Sequence, residues 1–138
     1  MTELLSNTPF DDLVVGERRG PYEFPVPAAL ASQLAESIGE RPPISWTPPA
    51  VFPVLFLMAL RLSMGGIPAG SILAKQQLEF HGRLHVDSTA RVVTWVGEKY
   101  VRRERPYVVI EFEVRDSQDN LVLTGRKIIV WPTGPGEV

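Results

Sequence analysis

Candidate positions for moving a proton or gripping an anion fall in three places in this chain of 138 residues. Glu40 and Ser45 lie in the proline-rich stretch Glu40-Arg-Pro-Pro-Ile-Ser-Trp46. A carboxylate can take or give a proton, whereas a serine hydroxyl does not titrate near neutral pH. By default Glu40 is a solvated loop acid and Ser45 a turn serine. His81 and His85 are four residues apart, a spacing that offers both imidazoles to one metal only on a helix, and this region does not read as helical. Alone, His81 is a hydrogen-bonded residue at a sheet margin or a ligand contact at a strand end, and His85 an exposed turn residue. Lys99, Arg102, Arg103 and Arg105 form a basic cluster interleaved with Glu98 and Glu104. It suits phosphates or an acidic protein, or simply a solvated hairpin. With no cysteine there is no disulfide, thiolate metal site or thiol nucleophile, and two histidines are too few for a zinc cage. Neither a metal nor a cofactor is expected.

The elements that must position these groups follow from hydrophobic spacing. Residues 1–19 are mixed and polar and read as a loosely packed arm. Tyr22, Phe24 and Val26 alternate, predicting a strand over Gly20–Val26. Pro27 opens a helix whose apolar positions are Leu30, Leu34 and Ile38, with Gly39 as its left-handed cap. Four prolines keep residues 40–49 out of any helix. From Ala50 to Met64 the chain is apolar apart from Arg61 and Ser63, which predicts a helix surrounded on nearly all sides. Four strands follow, at Ser71–His81, Ala90–Arg102, Tyr107–Arg115 and Leu121–Trp131, with turns at residues 103–106 and 116–120. Hairpin spacing makes the sheet antiparallel. The layout is α+β: a single domain over residues 20–132, in which a curved antiparallel sheet of about five strands wraps a long buried helix, with a polar tail at 133–138.

Composition agrees with one globular domain, at 44% hydrophobic and 22% charged residues. A net charge of −2 argues against general nucleic-acid binding. The apolar stretch at 50–64 is shorter than the ~20 residues a bilayer span needs, and the acidic start Met1-Thr-Glu-Leu-Leu-Ser6 lacks the basic region of a signal peptide. A cytoplasmic protein without a membrane partner is expected.

A helix wrapped by such a sheet is the hotdog architecture, and two passages resemble the MaoC-like acyl dehydratase/hydratase family. They are Thr47-Pro-Pro-Ala-Val-Phe-Pro-Val-Leu-Phe56 and the run from Ile72 through Leu78-Glu-Phe-His-Gly-Arg-Leu84 to Asp87. The resemblance spans roughly residues 10 to 131 and is greatest to the N-terminal, usually non-catalytic half-unit of double-hotdog members. That half-unit has an aromatic-His-x-Pro-Leu pattern followed by Gly-Asp. Here Arg83 stands for its proline and Val86 for its glycine.

The resemblance implies a lyase of fatty acid metabolism, the (R)-specific hydration of a 2-enoyl thioester or the reverse dehydration of a 3-hydroxyacyl thioester, on acyl-CoA or acyl-carrier-protein. The family's motif is Gly-Asp-x-Asn-Pro-x-His. Laid on this chain, Gly39 matches the glycine, Glu40 falls on the aspartate, Pro42 on the asparagine, Pro43 on the proline and Ser45 on the histidine. The acid is longer by one methylene and the imidazole is missing, so Glu40 and Ser45 are degenerate catalytic positions. Each acid–base partner contributes about 10²- to 10⁴-fold in rate. Little hydration is therefore expected of the chain alone. The implied role is to shape the acyl tunnel while a second hotdog subunit, in a heterodimer or homodimer, supplies the aspartate and histidine. Trp46, Phe52, Phe56, His81, Arg102 and Arg103 are the expected substrate-binding residues. The alternatives are a hotdog thioesterase, disfavoured by the lack of any Asp or Glu in Ala50–Met64, and a non-catalytic acyl-binding module.

Overall fold

The computed structural model describes residues 5–25, 36, 39, 61–66, 68–85 and 88–132. Five strands form one antiparallel sheet: β1 (Arg19–Pro25), β2 (Ile72–Phe80), β3 (Thr89–Arg102), β4 (Arg105–Arg115) and β5 (Leu121–Val130). Their order across the sheet is β1-β3-β4-β5-β2, so β1 and β2 are its edges. The strand expectations hold to within one or two residues at each end.

The period of two that builds these strands also builds the core. Ala90, Val92, Thr94 and Val96 of β3 face the same way as Val108, Ile110, Phe112 and Val114 of β4, and none is more than 2% exposed. Leu123 and Ile129 extend this inner face onto β5, and Phe24 of β1 packs at its far margin opposite Ala90. The other face carries Arg91, Trp95, Glu111, Glu113 and Arg126, where water can solvate charge.

A bulge interrupts the alternation between Val96 and Glu98. It is built on Gly97, where a Cβ would run into the Glu111 carboxylate that the Trp95 indole N–H holds at 3.0 Å. One extra residue inverts the parity of the strand beyond it. Lys99, which strict alternation would send to the outer face, therefore stands opposite Val108 on the inner side.

That inversion matters for the N-terminal arm, which is not loosely packed as its polar composition suggested. Two 3-10 turns, Leu5–Asn7 and Phe10–Asp12, lie against the sheet, with Leu5 and Leu13 buried. The Lys99 ammonium donates to the carbonyls of Phe10 (3.0 Å) and Asp11 (3.2 Å), and the Trp131 indole N–H donates to the carbonyl of Thr8 (2.9 Å). Val15 forms a parallel bridge to Val96.

Of the predicted helix over 50–64 only Arg61–Met64 falls among the described residues. This turn is helical, with Ser63 and Met64 buried and Arg61 and Leu62 exposed, so its end has one open face. The Thr94 hydroxyl donates to Ser63 Oγ at 2.7 Å, fixing that turn over the inner face of β3. Glu36 is helical and Gly39 adopts φ +87°, the left-handed conformation expected of a cap. The remainder of both predicted helices, residues 40–49 and the expected tail at 133–138 lie outside the described residues. Among the described residues no helix is long and apolar enough to cross a membrane.

Candidate functional site

His81 follows directly on the edge strand β2. Its backbone N–H donates to the Val122 carbonyl at 2.7 Å, so the chain stays registered to β5 one residue beyond Phe80. The ring is held by two neighbours on adjacent strands. Nε2 lies 3.0 Å from Thr124 Oγ1 and 3.7 Å from Glu79 Oε2. About a third of the side chain is exposed, which leaves the ring an edge open to a ligand. The same segment then plants Leu84 in the core, at 1% exposure. The apolar positions of this passage thus fasten it at Leu78 and Leu84, and His81 is presented between them.

Arg102 and Arg103 lie at the other end of the sheet. β3 and β4 are joined by the two-residue turn Arg103-Glu104, with φ +52° and +65°. Such turns match strand twist but favour Asn and Gly, so two bulky residues here carry strain. Behind the turn the rings of Tyr100 and Tyr107 stack with centroids 5.2 Å apart, which braces its stem. Arg102, Arg103 and Arg105 are exposed. Lys99, grouped with them by sequence, is spent on the arm instead.

The two candidates therefore do not meet within one chain. Tyr107, Val130 and Ile72 stand in register at the turn end, and His81 lies nine residues further along β2. The turn tip lies about three residues beyond that row, so at about 3.3 Å per residue the two are roughly 40 Å apart along the strands. Glu40, Ser45, Trp46, Phe52 and Phe56 lie outside the described residues. Among the described residues no three His, Cys, Asp or Glu side chains are grouped to hold a metal.

One group on the inner face was not singled out from sequence. Lys127 is only 5% exposed and stands in register between Ile110 and Gln76, in a row otherwise filled by Leu123, Gly125 and Ile129. Its ammonium donates to Gln76 Oε1 at 2.5 Å. Burial holds its pKa below the usual lysine value. The alternation of β5 already carried this signal, because the spacing that puts Ile129 inside puts Lys127 inside too. A separate cleft of about 490 Å³ lies under the arm, lined among others by Phe10, Pro106 and Trp131.

No family model matches the chain, and no curated relative matches it. Solved structures do. The MaoC-like dehydratase from Rhodospirillum rubrum superposes with a TM-score of 0.73 at 17% identity, over 91% of this chain and 97% of that one. The (R)-hydratase from A. caviae involved in PHA biosynthesis gives 0.64 at 20% identity, over 88% and 98%. The HadBC (3R-hydroxyacyl-ACP dehydratase) complex from Mycobacterium tuberculosis gives 0.64 at 14%, over 84% and 96%. At these identities the likeness establishes the fold, which is the hotdog fold of MaoC-like hydratases and dehydratases.

Proposed function

We propose that this chain is a MaoC-like hotdog subunit that holds an acyl thioester, of CoA or of an acyl-carrier protein. Hydration of a 2-enoyl thioester, or dehydration of the (R)-3-hydroxyacyl form, then requires a second hotdog chain that brings the aspartate and histidine. The observation that carries this reading is the near end-to-end overlap with an (R)-hydratase, 98% of whose chain is covered. What limits it to a supporting role is chemical. Where the family motif has its proton-carrying pair, this sequence has Glu40 and Ser45. A hydroxyl in place of an imidazole removes the member of the pair that titrates near neutral pH and leaves the Glu40 carboxylate without its partner. Work by two subunits has a parallel in HadBC, which is described as a complex.

In this role the side chains divide the ligand between them. His81 offers a ring nitrogen at the Phe80 end of β2, and Trp46, Phe52 and Phe56 line the acyl chain. Arg102 and Arg103, at the opposite end of the sheet, answer the phosphate charge of a ligand held by the second hotdog chain. Calorimetric titration with crotonyl-CoA tests the reading: saturable binding is expected, with no release of free thiol. Rapid thiol release would make the chain a thioesterase, and no binding of any acyl thioester would remove the proposal.

One observation favours a second reading, a non-catalytic acyl-binding protein that pairs with itself. The edge strand β2 carries Lys75, Gln77 and Glu79 on one face, a pattern complementary to its own reverse.

A further inference from the structure

We infer that the Gln76 amide, oriented by Lys127, is a hydrogen-bond donor that reads a carboxylate carried by the acyl group of the ligand. The chain then takes acyl thioesters with an anionic tail in preference to plain fatty acyl ones. The inference rests on the acyl-thioester reading above and adds to it the class of acyl group.

The two side chains meet because of an irregularity in β2. Leu73 stands opposite Ile129, which is buried on the inner face of β5. Strict alternation from that pair would set Lys75 opposite Lys127, two ammonium groups face to face on the inner side. A register shift between Leu73 and Lys75 inserts one extra residue. Lys75 is sent to the outer face, and Gln76 takes the place opposite Lys127. Beyond it Leu78 and Phe80 continue the inner face, opposite Gly125 and Leu123.

The pairing fixes which way the amide points. An ammonium has donors and no acceptor, so only the amide oxygen of Gln76 can face it. That oxygen accepts from Lys127 Nζ at 2.5 Å. The amide nitrogen is thereby turned away from Lys127, and its N–H groups have no partner among the described residues. Gln76 is exposed, whereas Lys127 is almost fully buried, so a ligand touches the glutamine and not the lysine. Lys127 is a positioning residue and Gln76 the contact. An amide free to turn would either donate or accept. This one is locked as a donor with a buried positive charge behind it. It selects an acceptor, and an anionic acceptor over a neutral one, because the nearby ammonium adds attraction that water screens poorly there.

The surroundings say which part of the ligand meets it. On either side of Gln76 the inner side of β2 is open and apolar: Leu73 is 43% exposed and Phe80 51% exposed, with Leu78 half-buried between Phe80 and the amide. Such a strip suits an alkyl chain, and Gln76 interrupts it. A plain fatty chain laid along it would cover the N–H groups without bonding them, which is unfavourable. A chain that ends in a carboxylate at this position bonds them and answers the charge behind them.

Calorimetry tests this with hexanoyl-, octanoyl-, decanoyl- and dodecanoyl-CoA beside the CoA monothioesters of the dicarboxylic acids of the same lengths. At one length or more the wild-type chain should bind the dicarboxylic form about tenfold more tightly than the plain form. Gln76→Met, which keeps the length and removes the donors, should bring that ratio to about one by weakening the dicarboxylic ligand. Lys127→Met should lower the same ratio, because the amide is no longer held. A merely structural pair would leave the ratio unchanged in both variants, which overturns the inference. So does equal weakening of every thioester in Gln76→Met, the sign of an amide bonded to the thioester carbonyl that all the ligands share. A wild type that prefers the plain form at every length overturns the inference and leaves the acyl-thioester reading standing. A wild type that binds none of these thioesters brings down both.

Discussion

Lys127 is a cation in a row of aliphatic side chains, and its burial has a cost that depends on pH. Desolvation lowers its pKa in the folded state, whereas the unfolded chain keeps the ordinary lysine value of 10.5. Between the lowered value and 10.5 the unfolded chain binds the extra proton, so stability rises with pH through that alkaline window. Below it both states are charged and the penalty is present in full. Chemical denaturation of wild type and Lys127→Met across the window should show an alkaline gain in the wild type that the variant lacks; parallel curves would contradict it. Asp116 works in the opposite sense. Burial raises its pKa, but the N–H groups of Asn120 and Gln118 and the Asn120 amide, with Arg91 nearby, outweigh this and hold it below 3.8. Its stabilisation is present above 3.8 and is lost as pH falls through the lower folded value. Asp116→Asn should cost about 1 kcal/mol at neutral pH, a difference that closes in strong acid; an equal cost at both extremes would show that the charge plays no part.

Among the elements, the strands were legible because each has one buried face and a clean period of two. Phe112 and Val114 against Glu111 and Glu113 leave no other register. The arm was not legible. Leu5 and Leu13 are buried singly, eight residues apart and separated by 3-10 turns, so no periodicity marks them. Lys99 was misplaced for a related reason. Its face is set by the bulge at Gly97, and a glycine inside a strand was the available sign. The arm's fastening predicts that Trp131→Phe, which removes the bond to Thr8 and leaves the smaller ring in a buried site, loses at least about 1–3 kcal/mol, measurable by thermal denaturation. The β3–β4 turn makes a reciprocal prediction. Arg103→Asn with Glu104→Gly replaces two residues at positive φ by the pair such turns prefer, and should stabilise by about 1 kcal/mol. If the turn serves a phosphate, the same change should weaken CoA-thioester binding while leaving a pantetheine thioester unaffected.

At the scale of the whole molecule, a five-stranded antiparallel sheet with a hotdog fold is what the sequence led us to expect, and most of the site was not. The sheet follows from patterning that any observer can count. Residues 40–49 have no such pattern, and the roles of Glu40 and Ser45 came from resemblance to a motif, with no geometry behind them. The opposition of His81 and the arginine turn across roughly 40 Å was invisible in sequence, where both are merely polar residues near turns. The central claim is that this polypeptide holds an acyl thioester yet lacks the means to shuttle a proton on it. The direct test is the rate of crotonyl-CoA hydration as the concentration of the purified chain is raised. The account predicts a rate that stays at the buffer value; turnover rising in proportion to protein and abolished by Glu40→Gln would contradict it.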